Sequence, residues 1–128
     1  MKEKQTTCFF NTIVFWGGGE KLHLETALEF KKLGHEIIIC SNAQAPLYDK
    51  SKSHDLDVFS LKVFNLSFLN PFKLFKCIRF FKNNNIDTVI FSSSQDSKLA
   101  GIAARFAGLK NIVYLRGLAV PIKSNIVN

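Results

Sequence analysis

Three consecutive glycines stand between an apolar run and a helix-forming segment, in a position suited to phosphate chemistry. Gly17, Gly18 and Gly19 let the backbone turn sharply and come close to a ligand. The free N–H groups and the positive end of the following helix favour phosphate. We therefore predict a diphosphate-binding loop made of these glycines and Glu20. The alternatives are a tight strand-to-helix turn without a ligand and a Glu20 that only complements the helix dipole.

The glycine loop is not the fingerprint of a dinucleotide site. The spacing G-x-G-x-x-G is absent, and no acidic residue ends the second predicted strand at Cys40 to hold a ribose. A second carboxylate, Asp96, follows the run Ser92-Ser93-Ser94. It could orient a hydroxyl of an acceptor, or it could cap a helix. No catalytic residue is assigned, and His23, His35 and His54 are interpreted as structural, on a helix face, at a strand start and in a loop.

A basic and aromatic helix is predicted to begin at Asn70-Pro71 and to run to about Lys82. Its sheet-packing face holds Leu74, Cys77, Ile78 and Phe81. Its other residues suggest a helix that lies on an anionic membrane surface: Phe72, Lys73, Phe75, Lys76, Arg79, Phe80 and Lys82. One alternative is a solvated lysine stripe whose phenylalanines are covered by the preceding loop. Nucleic-acid binding is a second alternative, and it is less favoured because no nucleic-acid-binding module accompanies the stripe.

Strand-like and helix-like segments alternate along the chain. The predicted strands are Cys8 to Phe15, His35 to Cys40, Val58 to Leu66, Ile86 to Phe91 and Asn111 to Leu115. The predicted helices are Glu20 to Leu33, Pro71 to Lys82 and a third that the serine run opens and Gly108 closes. Residues 41–57 form a long connection with room for a short helix. This alternation predicts a doubly wound, mostly parallel α/β sheet of the Rossmann-like type.

The composition is that of one globular domain with a net positive surface. The 128 residues are 47% hydrophobic and 21% charged, with a formal net charge of +7, which attracts phosphates, anionic lipid or nucleic acid. Three scattered cysteines suggest neither a disulfide framework nor a metal site, and a reducing compartment is expected. No apolar run is long enough to span a bilayer, and a secretion signal is not favoured.

Several short motifs resemble the opening of family 4 glycosyltransferases. The motifs are Gly18-Gly19-Glu20, Ala27-Leu28, Leu33 to Ile38, Asn85 to Ile90, Ala100 to Arg105 and Val113 to Gly117. The resemblance covers nearly the whole chain. It implies the N-terminal, acceptor-side half of a GT-B enzyme, with a Rossmann-like fold. Gly18, Gly19, Arg116 and Gly117 are the positions that carry over as substrate-binding residues.

The resemblance also implies a reaction and its partners. Such an enzyme transfers a sugar from a nucleotide sugar to a glycan or lipid-linked acceptor. The family's second domain binds most of the donor and supplies a Glu-x7-Glu motif, but this chain has no glutamate after Glu36. We therefore expect residues 1–128 to be one domain, without a cofactor, inactive alone and completed by a separate C-terminal domain.

Apolar surface near Trp16 and 118–120 would face that domain. A non-enzymatic binding module or truncated fragment is the alternative. The cytoplasm, at the inner face of the membrane, is the expected location.

Overall fold

Strands and helices alternate along the chain, as the sequence pattern predicts. The computed structural model describes residues 5–63 and 69–114. The strands are β1 (Thr6–Phe10), β2 (Glu36–Ser41), β3 (Asp57–Ser60), β4 (Thr88–Phe91) and β5 (Asn111–Tyr114). The helices are α1 (Gly18–Lys32), α2 (Pro46–Ser53), α3 (Pro71–Asn83) and α4 (Ser94–Ala107). The short helix expected within the long connection is α2.

The five strands form one parallel sheet in the order β3-β2-β1-β4-β5. β1 lies at the centre, with Phe9 opposite Ile39 of β2 and opposite Ile90 of β4. Apolar side chains on both faces of the central strands explain why these strands show no polar alternation. The predicted fold class is therefore confirmed: a Rossmann-like, doubly wound α/β domain.

Helices cover both faces of the sheet. On one face, α1 and α2 contribute Leu24, Ala27 and Leu47 to a core with Phe9 and Ile39. On the other face, α3 and α4 pack on the second core cluster. Its buried members include Cys8, Phe10, Cys40, Cys77, Phe81, Val89, Leu99, Ala100, Ala103 and Ala104. The small residues of α4 allow that helix to lie close to the sheet. Together, the two cores fix the positions of the strand ends at which the candidate site forms.

The helices begin and end at the residues that cap them. Asn70 caps α3, where its Oδ1 accepts the Phe72 N–H at 3.0 Å, and Pro71 occupies the first helical position. Ser93 caps α4, and Gly108 ends it with a left-handed φ of 78°. Gly34, which follows the end of α1, has a φ of 93°. The positive φ at positions 34 and 108 therefore favours glycine at both.

β4 begins at Thr88 and not at Ile86, and two other strands end earlier than the apolar pattern predicts. β1 ends at Phe10 and not at Phe15, because Asn11 and Thr12 turn their side chains into a buried hydrogen-bonded cluster. β3 ends at Ser60. The remainder of its predicted span includes residues 64–66, which lie outside the described residues. No helix in the described ranges is long and apolar enough to cross a membrane.

Candidate functional site

The candidate site lies at the carboxyl ends of β1 and β4, where the strand order reverses. From β1 the chain passes to α1 on one face, and from β4 it passes to α4 on the other. The two connections therefore diverge at this edge of the sheet, which is the usual ligand position in open α/β sheets. The glycine loop and the residues around Asp96 both belong to this edge, so the fold brings together the two parts of the predicted site.

The glycine loop forms the N-terminus of α1, with Gly17 as the cap and Gly18 as the first helical residue. Glu20 is buried, and its carboxylate accepts the Gly17 N–H at 3.0 Å and the Asn11 Nδ2–H at 3.1 Å. The carboxylate therefore already occupies one of the amides assigned to a ligand. Of the amides assigned to a diphosphate, those of Gly18 and Gly19, in the first turn of α1, are left.

Gly17 and Gly18 are not required by backbone strain. Gly17 has an extended backbone, with φ of −146°, and Gly18 does not have a positive φ. A Cβ built on Gly18 meets no atom within 4 Å, so open space lies in front of this residue. The turn itself would therefore accept a side chain at position 18.

Behind the loop, Asn11 links Glu20 to a buried histidine. Asn11 Nδ2 lies 3.4 Å from His23 Nδ1, which places the proton of the ring on Nε2. His23 Nε2 is buried and has no hydrogen-bond partner among the described residues. Burial lowers the pKa of His23 to about 4, despite the nearby Glu20 charge, which raises it. His23 is therefore a neutral core residue, and its ring stands edge-on to Phe9.

Asp96 is not the helix cap, and its side chain is not accessible to a hydroxyl group of an acceptor. Ser93 is the cap, and its Oγ accepts the Asp96 N–H at 3.2 Å. The Asp96 side chain is completely buried and accepts both the Thr12 N–H, at 3.0 Å, and the Thr12 hydroxyl. Burial raises the pKa of Asp96, although the hydrogen bonds from Thr12 and Ser93 oppose this shift. Asp96 therefore ties the segment after β1 to α4.

Gln95 is the residue next to this pair that remains partly accessible. Its Nε2 donates to the Val63 carbonyl at 3.2 Å and lies 3.5 Å from Thr12 Oγ1. Sequence reasoning missed Asn11, Thr12 and Gln95. The signal that could have found the first two is the polar pair that interrupts the apolar run after Phe10. The last two predicted substrate-binding residues, Arg116 and Gly117, lie outside the described residues.

Of the three aromatic residues of α3 that were assigned to a membrane surface, two are exposed and one is buried. Phe72 is 85% exposed and Phe75 is 59% exposed. The prediction for Phe80 is wrong: it is only 6% exposed, and its ring stacks on Phe59 with centroids 4.1 Å apart. At 100° per residue, Phe80 lies 80° from Phe72, on the side of the helix that turns toward β3.

The cations of α3 are arranged over aromatic rings and backbone. Lys76 Nζ lies 5.8 Å from the Phe59 ring centroid, and Arg79 lies 5.8 Å from that of Phe75. Lys73 Nζ donates to the Lys62 carbonyl, and Lys82 is exposed. The predicted sheet-packing face is confirmed, since Cys77 and Phe81 are buried and Leu74 and Ile78 pack against the same core.

The cysteines take no part in a metal or disulfide site within the described ranges. Cys8, Cys40 and Cys77 are free and buried. Burial raises the pKa of all three thiols, that of Cys77 to about 12, so they remain protonated at neutral pH. No group of three or more His, Cys, Asp or Glu side chains in residues 5–63 and 69–114 could hold a metal ion.

Comparison with known proteins shows the fold. No protein-family model and no curated protein matches the chain. Among solved structures, the glycosyltransferase from Rickettsia africae superposes with a TM-score of 0.73 at 22% identity, over 88% of this chain and 30% of that chain. MurG from Acinetobacter baumannii superposes with a TM-score of 0.67 at 16% identity, over 85% of this chain and 34% of that chain. These superpositions show the fold, a Rossmann-like α/β domain similar to one part of each of these two structures.

The chain spans about a third of the length of those two structures. The C-terminal domain of the PF1911 hydrogenase from Pyrococcus furiosus is also similar, with a TM-score of 0.58 at 13% identity, over 91% of this chain and 93% of that domain. The same architecture therefore also occurs in a domain of a hydrogenase. Similarity at these identities establishes the fold and leaves activity to be argued from the site. Membership of family 4 stays a prediction.

Proposed function

We propose that the chain is the N-terminal, acceptor-side domain of a glycosyltransferase that transfers a sugar from a nucleotide sugar to a lipid-linked or surface glycan acceptor. The observation that carries this proposal is the superposition on the Rickettsia africae glycosyltransferase over 88% of this chain. Family 4 is the family that the sequence motifs favour. Residues 1–128 form one wall of the transfer cleft.

A C-terminal donor-binding domain supplies the other wall. Exposed apolar residues beside the glycine loop support such a partner, because Val14 is 43% exposed, Phe15 75% and Trp16 37%. The predicted apolar residues 118–120 lie outside the described residues. Since the donor is held mainly by the second domain, the chain alone has no transfer activity or almost none.

In this proposal the glycine loop stabilises the leaving diphosphate. The Gly18 and Gly19 amides at the positive end of α1 face the developing charge, while the Glu20 carboxylate holds the Gly17 amide and the loop in place. Asp96, through Thr12, fixes the segment that leads into the loop. These two acids are positioning residues, because their side chains are buried. Arg116 and Gly117 are proposed to line the same cleft.

The outward face of α3 is proposed to bind the anionic inner surface of a cytoplasmic membrane, where a lipid-linked acceptor would be presented. The residues of this face are Phe72, Phe75, Lys76, Arg79 and Lys82. Exposed aromatic rings beside cations support interfacial binding. Phe80 is withdrawn from the set because it is buried, and Lys73 contributes less because it contacts the Lys62 carbonyl.

The chain alone and the chain with a partner must be compared to test this proposal. The purified 128-residue chain is incubated with labelled nucleotide sugars and a membrane lipid extract, and label in lipid or glycan is measured. The same assay is repeated with the chain co-expressed with any donor-binding domain that a neighbouring reading frame encodes. We expect transfer only in the second case. Robust turnover by the chain alone would overturn the half-enzyme proposal.

A non-enzymatic binding module is the second candidate. The observation that favours it is the exposed apolar surface at Val14, Phe15 and Trp16, which a binding module would use equally well, on a fold that the PF1911 hydrogenase domain shares. A module of this kind would bind its partner through the loop side of the sheet without any transfer. Partner capture with no sugar transfer by the complex would support it over the glycosyltransferase proposal.

A further inference from the structure

A groove runs between α3 and β3 on the face of the sheet that α3 covers. Its volume is about 370 Å³. The side chains that define it are Phe59, Phe72, Phe75, Lys76, Arg79 and Phe80, with Asn83 and Asn84 at one end. None of the lining residues is acidic, and α3 itself contains no Asp or Glu. The groove therefore combines aromatic walls with two cations, Lys76 and Arg79, and has no carboxylate in its own lining; the nearest ones, such as Asp57, line the adjoining pocket beyond Asn84.

The aromatic walls hold the two cations of the groove in place. Phe80 stacks on Phe59 with 15° between the ring planes, and Lys76 lies over the Phe59 ring. Arg79 lies over the Phe75 ring on the neighbouring side. Cations held against aromatic faces lose less freedom when an anion binds, and their outward N–H groups remain available to phosphate oxygens.

The outward face of α3 is also polarised along the helix axis. Phe72 and Phe75 belong to its first two turns and Arg79 and Lys82 to its last two, with Lys76 between them, directly after Phe75. From residue 72 to residue 79 the helix rises by roughly 10 Å, at about 1.5 Å per residue. An interfacial helix buries its apolar face by roughly 5–10 Å, so a tilt of α3 would place its two ends at different depths. A helix tilted with its N-terminal end down would place Phe72 deepest and Arg79 and Lys82 nearest the phosphates, with Phe75 and Lys76 between them.

From these features we infer that the α3–β3 groove is a binding site for the headgroup of one anionic phospholipid, with its phosphate between Lys76 and Arg79 and its acyl chains beside Phe72 and Phe75. The lipid is favoured over a soluble phosphate because Phe72, at 85% exposed, lies one helical turn before Lys76, where an acyl chain of the same molecule would contact it. This inference rests on the membrane surface proposed for α3 and is independent of sugar transfer.

Titration with a soluble lipid distinguishes a discrete binding site from a diffuse effect of net charge. ¹H–¹⁵N NMR spectra of the chain are recorded while short-chain phosphatidylglycerol is added below its micelle concentration. We expect saturable, one-to-one shifts at Lys76, Arg79 and Asn83. Short-chain phosphatidylcholine should produce none. Equal binding of both lipids would overturn the assignment of an anionic headgroup site.

Inorganic phosphate and oligothymidylate are titrated in the same way. If inorganic phosphate saturates the same resonances at the same concentration, the groove binds phosphate as such, and the lipid assignment is wrong. If oligothymidylate binds more tightly than the lipid and through the same residues, the groove is a nucleic-acid site, which also overturns the inference.

Two matched double variants locate the effect. Lys76→Gln with Arg79→Gln should weaken binding to phosphatidylglycerol vesicles about 30-fold, the loss expected for two cations near an anionic surface. Lys21→Gln with Lys110→Gln removes the same charge from exposed positions outside the groove and should change binding less than about threefold, since screening limits remote charges. Equal losses in the two variants would mean that net charge, and not the groove, attracts the lipid. Sugar transfer by the complex is measured separately, so a failure of either proposal is recognised independently.

Discussion

His23 is an ionisable residue that is fully enclosed in the core beneath the glycine loop. Its ring is edge-on to Phe9, and its Nδ1 faces Asn11. The enclosure favours the neutral ring, so the folded chain binds this proton only below about pH 4, whereas the unfolded chain binds it below about pH 6.5. Between those values the unfolded state binds more protons, and stability therefore falls as the pH is lowered.

We predict that His23 makes the chain acid-sensitive. The free energy of unfolding should fall by about 2 kcal/mol between pH 7 and pH 5 because of this residue alone. Urea unfolding of the chain and of a His23→Gln variant at each pH measures this dependence as a difference. Asp96 has the opposite effect, because its raised pKa stabilises the fold in acid and this contribution is lost as the pH rises. Both chains contain Asp96, so its contribution cancels when the two free energies of unfolding are subtracted.

The exposed His54 offers the control for this measurement. A His54→Gln variant should retain the full acid dependence of the parent chain. If His23→Gln and His54→Gln show the same dependence on pH as the parent, burial of His23 does not cause the acid sensitivity.

At the scale of elements, the pair Thr12–Asp96 joins the end of β1 to the first turn of α4. Both Asp96 oxygens accept hydrogen bonds from Thr12, and the side chain has no exposed surface. We predict that Asp96→Asn destabilises the chain by about 1–3 kcal/mol, because an amide NH₂ group would face a donor of Thr12. Denaturant midpoints of the two chains measure the loss.

Asp49 provides a matched control, because it also lies in the first turn of a helix but is exposed. Asp49→Asn should cost less than about 1 kcal/mol, the typical contribution of an acid to the helix dipole. Equal losses for the two substitutions would show that Asp96 acts only through the dipole and not as a link between β1 and α4.

The two sides of α3 should respond differently to truncation of a phenylalanine. Phe80→Ala removes a buried ring that stacks on Phe59, so we predict a loss of about 3–5 kcal/mol in the free energy of unfolding. Phe72→Ala changes an exposed ring and should cost no more than about 0.5 kcal/mol. Thermal or urea unfolding compares them. Similar losses would contradict the assignment of Phe80 to the core.

α3 also illustrates how far sequence patterns reach. Helical periodicity correctly predicted that Cys77 and Phe81 pack on the sheet, because those positions depend only on the helix. The burial of Phe80 depends on Phe59, which comes from β3, and periodicity within one helix carries no information about a neighbouring strand. In the same way, the serine run predicted a helix start, but the role of Asp96 depends on Thr12, 84 positions earlier.

At the scale of the whole molecule, the alternation of apolar strands and amphipathic helices was enough to predict the doubly wound sheet. The site was predicted in part. The glycine loop and Asp96 reach the same edge because the carboxyl ends of β1 and β4 are adjacent. The network beneath the loop was missed, since hydrogen bonds between Asn11, Glu20 and His23 arise only when the loop folds back on the strand end.

The central claim is that this chain supplies one wall of a sugar-transfer cleft and that its glycine loop faces the donor diphosphate. The most direct measurement is the rate of sugar transfer by the chain paired with a donor-binding domain, for the parent and for two glycine variants. Gly18→Ala places a methyl group in the open space at the loop. Gly101→Ala, within α4, meets only the Phe91 ring at 4.0 Å and serves as the control.

We expect transfer by the parent pair and by the Gly101→Ala pair, and a KM for the nucleotide sugar at least about tenfold higher with Gly18→Ala, the effect of losing roughly 1.4 kcal/mol of binding. The unfolding midpoint of Gly18→Ala should be unchanged or slightly raised, because alanine favours the helix more than glycine does. A pair that assembles but transfers no sugar, or a Gly18→Ala pair with the parent's KM, would contradict the account.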